Sequence, residues 1–402
     1  MACGPTQLAV QTIDLALEAN VIIFTSNNEK TILLSLDSLY IGAKLRNLIE
    51  NEFSASVPKE RIFIAASHTH YGPQLDPNKP KLGIMDSIHF NEVANSVIEL
   101  IKDLLNKVSQ PAEIFYSKFE TNSTISRRLP RLIGGENGRI KFRKVFLGPN
   151  QTITPKVIGH VLQVSANSEV LAYIWQMPCH PTSLPKNSNH HSHFPGVIRN
   201  KLRQLERSEV PVVFLQGFSG DLRPKSIAKP FGFVGWMRRL VLGPWFSNFT
   251  SLGFQGWTES IWRELYSSLS NINENENRLN IIAVQSSRSL HALNYFIKTT
   301  NDNYGNLSIH CIRLGRLIIV GVSAEVPSDY VELLKLHIPN LDFVPVGCID
   351  DVFGYAPTSE MLKIGGYESE GSRVFFDIKE YSEDFVLKFE KIITETVRNI
   401  LE

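Results

Sequence analysis

A chain of 402 residues with 43% hydrophobic and 20% charged side chains can bury a sizeable core, as one large domain or two ordinary ones. Lys and Arg total 41 against 40 Asp and Glu, a net charge of +1, so the overall charge gives no basis for a polyanion partner such as nucleic acid. Cys3, Cys179, Cys311 and Cys348 form no CxxC pair, which argues against a disulfide framework and against a thiolate zinc cluster.

In chain order, dense Val, Ile and Leu runs predict strands at 21–24, 31–37 and 62–67. Others follow at 157–164, 170–175, 210–216 and 317–322, with a composition suited to cover on both faces. Helical patterns fill 41–53, 90–108, 195–206 and 329–338. This alternation predicts an α/β chain: one domain over 1–402, with mixed β-sheets flanked by helices and an active site at strand carboxyl ends. No signal-peptide pattern opens the chain and no uncharged apolar stretch is long enough to span a bilayer, so an unprocessed cytoplasmic protein is expected. Nothing in the sequence speaks to its oligomeric state.

Residues 229–250 break the pattern, with Phe231, Phe233, Trp236, Trp245, Phe246 and Phe249 beside Lys229, Arg238 and Arg239. Two readings stand open: a peripheral membrane contact or cap over an apolar channel, and an insertion whose aromatics pack on the protein itself.

Four short segments carry the chemistry. His68 and His70 follow a strand at spacing i, i+2, which sends both imidazoles to one side of an extended chain, and Gly72-Pro73 then turns it. His180 stands at another strand end, before Pro181. Glu325 closes the strand at 317–322, and Tyr355 lies in a glycine-flanked loop; taken singly, these read equally as a helix cap and a core tyrosine. Residues 217–224, GFSGDLRP, form a turn whose N–H groups can face an anion, but without the lysine or length of a P-loop. His190, His191 and His193 read as a loop leading into a helix rather than as ligands, and Cys179 as a small buried residue rather than a nucleophile.

In this order the segments resemble the catalytic domain of the neutral/alkaline, non-lysosomal ceramidases, in a bacterial-type relative rather than a true ceramidase. SHTHYGP resembles the family's His-Thr-His-Ser-Gly-Pro, CHPTSL its Thr/Cys-His-Pro-Thr, and SAEVP its Gly-Glu segment. FGYAPT and GGYESEGS resemble its tyrosine loop and Tyr-Glu segment, and the likeness runs from the strand at 31–37 to about residue 376. The resemblance implies a zinc ion held by His68, His180, Glu325 and Tyr355, with His70, Arg127 and Tyr367 around a scissile carbonyl and Asp221 orienting a ligand or the water. It further implies hydrolysis of an amide in a lipid-like N-acyl substrate by zinc-activated water, and a place in sphingolipid metabolism.

The chain departs from the family at Arg223, where ceramidases carry a serine; a mechanism needing that hydroxyl cannot operate, and an arginine points to a different or anionic substrate group. The family's C-terminal immunoglobulin-like domain is also absent from the 402 residues, and the start, before the equivalent of residue 12, looks truncated. Two alternatives are carried: a deacetylase or esterase acting on a sugar or glycolipid, and a catalytically silent, metal-dependent ligand-binding protein.

Overall fold

Strands that are apolar at every position need cover on both faces, and three sheets provide for it. In the first, Ala19–Ser26 pairs antiparallel with Glu29–Leu36, which runs parallel to Ile62–Ala66. In the second, Val212–Gln216 lies parallel to Glu169–Met177, followed antiparallel by Val157–Ala166 and Glu113–Thr121. The third orders Val284–Ala292, Asn306–Leu314, Leu317–Val322 and Asp342–Val346, with the last pair parallel. The computed structural model describes residues 13–134, 140–153, 157–185, 189–300, 304–339 and 341–402, so Cys3 and the truncated-looking start lie outside the described residues.

Side chains alternate between faces along a strand, and the alternation builds the core. Leu33 and Phe63 from the first sheet, Ile174 and Val213 from the second, and Ile319 and Val344 from the third share one buried cluster. Their neighbours face outward under helices. Ile32, Leu34 and Ile64 pack beneath Gly42–Phe53 and Ser87–Leu105. Tyr173 and Phe214 pack beneath His193–Glu206 and Ser251–Ser270, and Ile318 and Val320 beneath Phe385–Asn399. Each fully buried aliphatic or aromatic side chain contributes roughly 1.5–3 kcal/mol, so the doubly covered strands carry much of the stability.

All seven predicted strands and all four predicted helices form. The second helix starts earlier than the apolar pattern indicates, at Ser87, because the Asp86 carboxylate accepts from Ile88 N at 2.8 Å and His89 N at 3.2 Å. Segment 229–250 contains the helix Gly232–Leu242. Among the described residues no helix is long and apolar enough to cross a membrane.

Two sheet histidines are held neutral. Burial, reinforced by Lys118, pushes His160 down to about 3, and burial with Arg288 does the same for His310. A depressed histidine is protonated first in the unfolded chain, so the stability it provides is complete above about pH 6.5 and is lost as pH falls toward 3. For His160 the loss between pH 7 and pH 5 is about 2 kcal/mol. His160→Asn keeps a polar atom for the Tyr116 hydroxyl, which lies 2.8 Å from His160 Nδ1. Urea unfolding at both pH values is expected to show a fall about 2 kcal/mol smaller in the variant; equal falls would refute the assignment.

Candidate metal centre

Loops leaving the carboxyl ends of the central strands are knitted together by backbone hydrogen bonds. Ala66 N donates to Cys348 O at 3.0 Å, Gly347 N to Gln216 O at 2.9 Å and Cys348 N to Ala324 O at 3.1 Å. His68, two residues past Ile62–Ala66, takes φ 62°, a left-handed conformation that costs a non-glycine residue about 1–3 kcal/mol. Its Nδ1 meets Leu39 O at 3.1 Å, and His180 Nδ1 meets Leu222 O at 2.9 Å. A carbonyl only accepts, so both Nδ1 atoms carry the proton and each Nε2 is left with its lone pair.

Both lone pairs converge. Glu325 Oε2 lies 3.5 Å from His68 Nε2 and 3.0 Å from His180 Nε2, and Tyr40 donates its hydroxyl to Glu325 Oε1. His70 joins them: the three histidines bring ring nitrogens within 4.8 Å of one another. The rings of His68 and His70 are 4.9 Å apart, as are those of His68 and His180. Imidazole acceptors and a carboxylate facing each other in a buried site repel unless a positive charge lies between them.

The protonation pattern states the same demand. Burial raises the Glu325 carboxyl, but His68 and His180 overcome this and hold it well below the usual carboxylate range. Burial works against charge on His68, yet Cys348 and Glu325 raise it well above the ordinary histidine value, while burial and then Arg127 bring His180 down to about 4. Beside Glu325 the site thus favours a positive charge. A divalent cation answers the same requirement, and imidazole nitrogen with carboxylate oxygen is a donor set that suits zinc. The residues therefore fit a metal.

Tyr355 pairs its backbone with Glu325 and is buried beside Arg127, whose Cζ lies 5.3 Å from its ring centre and 4.9 Å from that of Tyr367. Arg127 Nε donates to Glu368 Oε1 at 2.9 Å, and its Nη2 to Gly220 O. Asp221, expected to orient a ligand or the water, is held by the loop before the helix Asp329–His337. Both its oxygens accept from Ser328, from N at 2.6 Å and from Oγ at 2.9 Å. Burial and then Asp329 push its carboxyl up to about 6. The two imidazoles are oriented instead by the carbonyls of Leu39 and Leu222. Arg223 donates to Ser183 Oγ at 3.1 Å and lies over Phe246.

Tyr40 has no signal in the sequence beyond its place past a strand end, and Glu368 is the glutamate of the Tyr-Glu segment. His193 donates from Nε2 to Thr182 O at 2.8 Å and stacks on Tyr71, and His191 Nδ1 accepts from His193 N at 2.7 Å. These are structural roles. Burial raises the Cys179 thiol well above its ordinary pKa, which suits a packed residue. A cavity of about 730 Å³ opens on the far side of Asp221 and Leu222, lined also by Lys118, Arg128 and Phe343, and includes none of the three clustered histidines.

Neutral ceramidase from Pseudomonas aeruginosa has a similar structure, with a TM-score of 0.72 over 98% of this chain and 70% of that one at 15% identity. A ceramidase complexed with C2 gives 0.71 over 99% and 72%, also at 15% identity. No protein-family model matches the chain, and no curated protein matches it in sequence. The chain thus has the neutral ceramidase fold, a mixed α/β architecture whose candidate ligands stand at strand carboxyl ends.

Proposed function

We propose that this protein is a zinc-dependent hydrolase that cleaves the amide of a lipid-like N-acyl substrate. The observation that carries the reading is the approach of His68 Nε2 and His180 Nε2 to one oxygen of Glu325, at 3.5 and 3.0 Å. His68, His180, Glu325 and Tyr355 would hold the cation. When bound, it would supply Lewis acidity, polarising a carbonyl and making water nucleophilic near neutral pH.

The chain's own groups do the rest. His70 is kept neutral, because burial, and then its neighbours His68 and His180, hold its pKa well below the ordinary value. A neutral imidazole can take a proton from water and return it to the departing amine. Arg127 is fixed by Glu368 and Gly220 O before any substrate arrives, so its positive charge is preorganised for an oxyanion, with Tyr367 beside it. Likeness to two ceramidases favours an N-acyl amide over a sugar acetyl or ester group. The test pairs metal analysis with amine release from an N-acyl amide. About one zinc per chain and amine release removed by chelation are expected; a metal-replete protein that frees no amine ends the proposal.

The lipid partner is supported by the helix Gly232–Leu242, which buries no residue and exposes Phe233, Leu240 and Val241 at 79, 64 and 72%. From Pro224 to Thr258 the chain has no Asp or Glu but carries Lys225, Lys229, Arg238 and Arg239. Such a surface suits the interface of an anionic bilayer. Phe233→Asp with Leu240→Asp is expected to lower partitioning to phosphatidylglycerol-containing vesicles by about 10-fold or more, given roughly 1.5–3 kcal/mol per inserted side chain. Unchanged co-sedimentation of a folded variant would return the helix to the packing reading.

A further inference from the structure

A half-buried cation without a counter-ion is unfavourable unless something arrives to neutralise it, and Arg223 is in that condition. It lies in the short strand Leu222–Pro224, paired antiparallel with Thr124–Ser126. Its Nη2 donates to Ser183 Oγ at 3.1 Å, and its Cζ lies 4.6 Å from the centre of the Phe246 ring. Its Nε is closed off from solvent and has no acceptor among the described residues. Burial and then Arg127 lower its pKa to about 10, which still leaves it charged at neutral pH.

The buried carboxylates of the site, Glu325, Glu368 and Asp221, are engaged elsewhere. Glu325 receives Tyr40 and faces His68 and His180; Glu368 binds Arg127 and Arg128; Asp221 is held by Ser328. No described carboxylate pairs with Arg223. Its place is equally specific. Leu222, whose carbonyl meets His180 Nδ1 at 2.9 Å, directly precedes it in the chain, so the strand that carries Arg223 also borders the imidazole cluster. On its other side stands the aromatic segment, through Phe246 and through Phe249 N, which donates to Ser183 O at 2.9 Å.

We infer that Arg223 recognises an anionic oxygen group on the substrate, so that the substrate class is an acidic N-acyl amide rather than a neutral one. The inference rests on the amide-hydrolase reading for the amide but not for the anion. A guanidinium that already has one polar partner and a stacking ring is suited to carboxylate or phosphate oxygens, and the two sources are separated by matched probes.

The probes are N-lauroylglycine with N-lauroylglycinamide, and N-lauroyl-O-phosphoethanolamine with N-lauroylethanolamine. Binding is read by equilibrium dialysis with chelator present, and cleavage by amine release without it. The acidic member of at least one pair is expected to bind about 10- to 100-fold more tightly than its neutral twin, and the pair with the larger ratio identifies carboxylate or phosphate. In Arg223→Gln the ratio is expected to fall to near one, with the thermal midpoint of the free protein unchanged or higher, because an unpaired, half-buried charge has been removed. Arg223→Lys, which keeps the charge without the fork, is expected to retain part of the preference. Equal binding of twins by the unmodified protein overturns the inference. So does a preference that survives in Arg223→Gln, or a lowered midpoint with both twins weakened equally. Discrimination in binding without amine release from any probe leaves the anion site standing and removes the hydrolase reading.

Discussion

Replacing His180 with alanine is expected to empty the metal centre and lower amide turnover by about 1000-fold or more, equivalent to about 4 kcal/mol of barrier. His180 Nδ1 is held by Leu222 O at 2.9 Å, and its Nε2 faces Glu325 Oε2 at 3.0 Å. Alanine removes one donor from the cluster and also leaves a buried carboxylate with only His68 and Tyr40 to face it. A smaller ligand set binds a divalent cation more weakly, and the proposed chemistry depends on that cation. His191→Ala is the control, since His191 stands outside the cluster and its Nδ1 serves only the His193 backbone. Metal per chain and amine release, measured on both variants, check the claim. Full metal content with full turnover in His180→Ala would remove the centre from the mechanism.

What the sequence made legible follows from where each signal resides. A strand covered on both faces, such as Ile62–Ala66 or Leu317–Val322, is apolar throughout and announces itself. Glu113–Thr121 and Val284–Ala292 are edge strands whose partly exposed positions carry Glu, Lys, Ser and Arg, so no continuous run marks them. The helix Ser251–Ser270 is hidden similarly, by Gly253 and Gly256 in its first turns. His68, His180 and Glu325 were readable because each stands two or three residues beyond a strand end.

Their orientation was not readable. The groups that fix the two tautomers are the carbonyls of Leu39 and Leu222, and a backbone carbonyl has no side-chain signature. Asp221 illustrates the converse. A carboxylate in a glycine-bearing turn near the site reads as an orienting group, yet folding brings Ser328 to it first. The Arg223 side chain was visible as an oddity of the sequence; only the fold shows that the buried carboxylates of the site are already engaged.

Arg127→Ala is expected to act on stability and on turnover, and the two effects can be separated. Arg127 and Glu368 are 5% and 1% exposed, and losing one member of a buried ion pair typically costs 3–5 kcal/mol. Arg128 also binds Glu368, so the loss should lie near the lower figure, about 3 kcal/mol by urea unfolding. Turnover should fall about 100- to 1000-fold, the usual consequence of removing one preorganised oxyanion donor. The double variant Arg127→Met, Glu368→Leu decides between packing and electrostatics. It removes the carboxylate left with Arg128 alone, leaves the partly exposed Arg128 on Gly365 O, and refills the space beside Tyr355 and Tyr367, so most of the stability should return. Turnover should stay low, because an apolar pair places no positive charge beside the reacting carbonyl. Recovery of both quantities would reduce Arg127 to a packing residue, whereas recovery of stability alone assigns its charge to the chemistry.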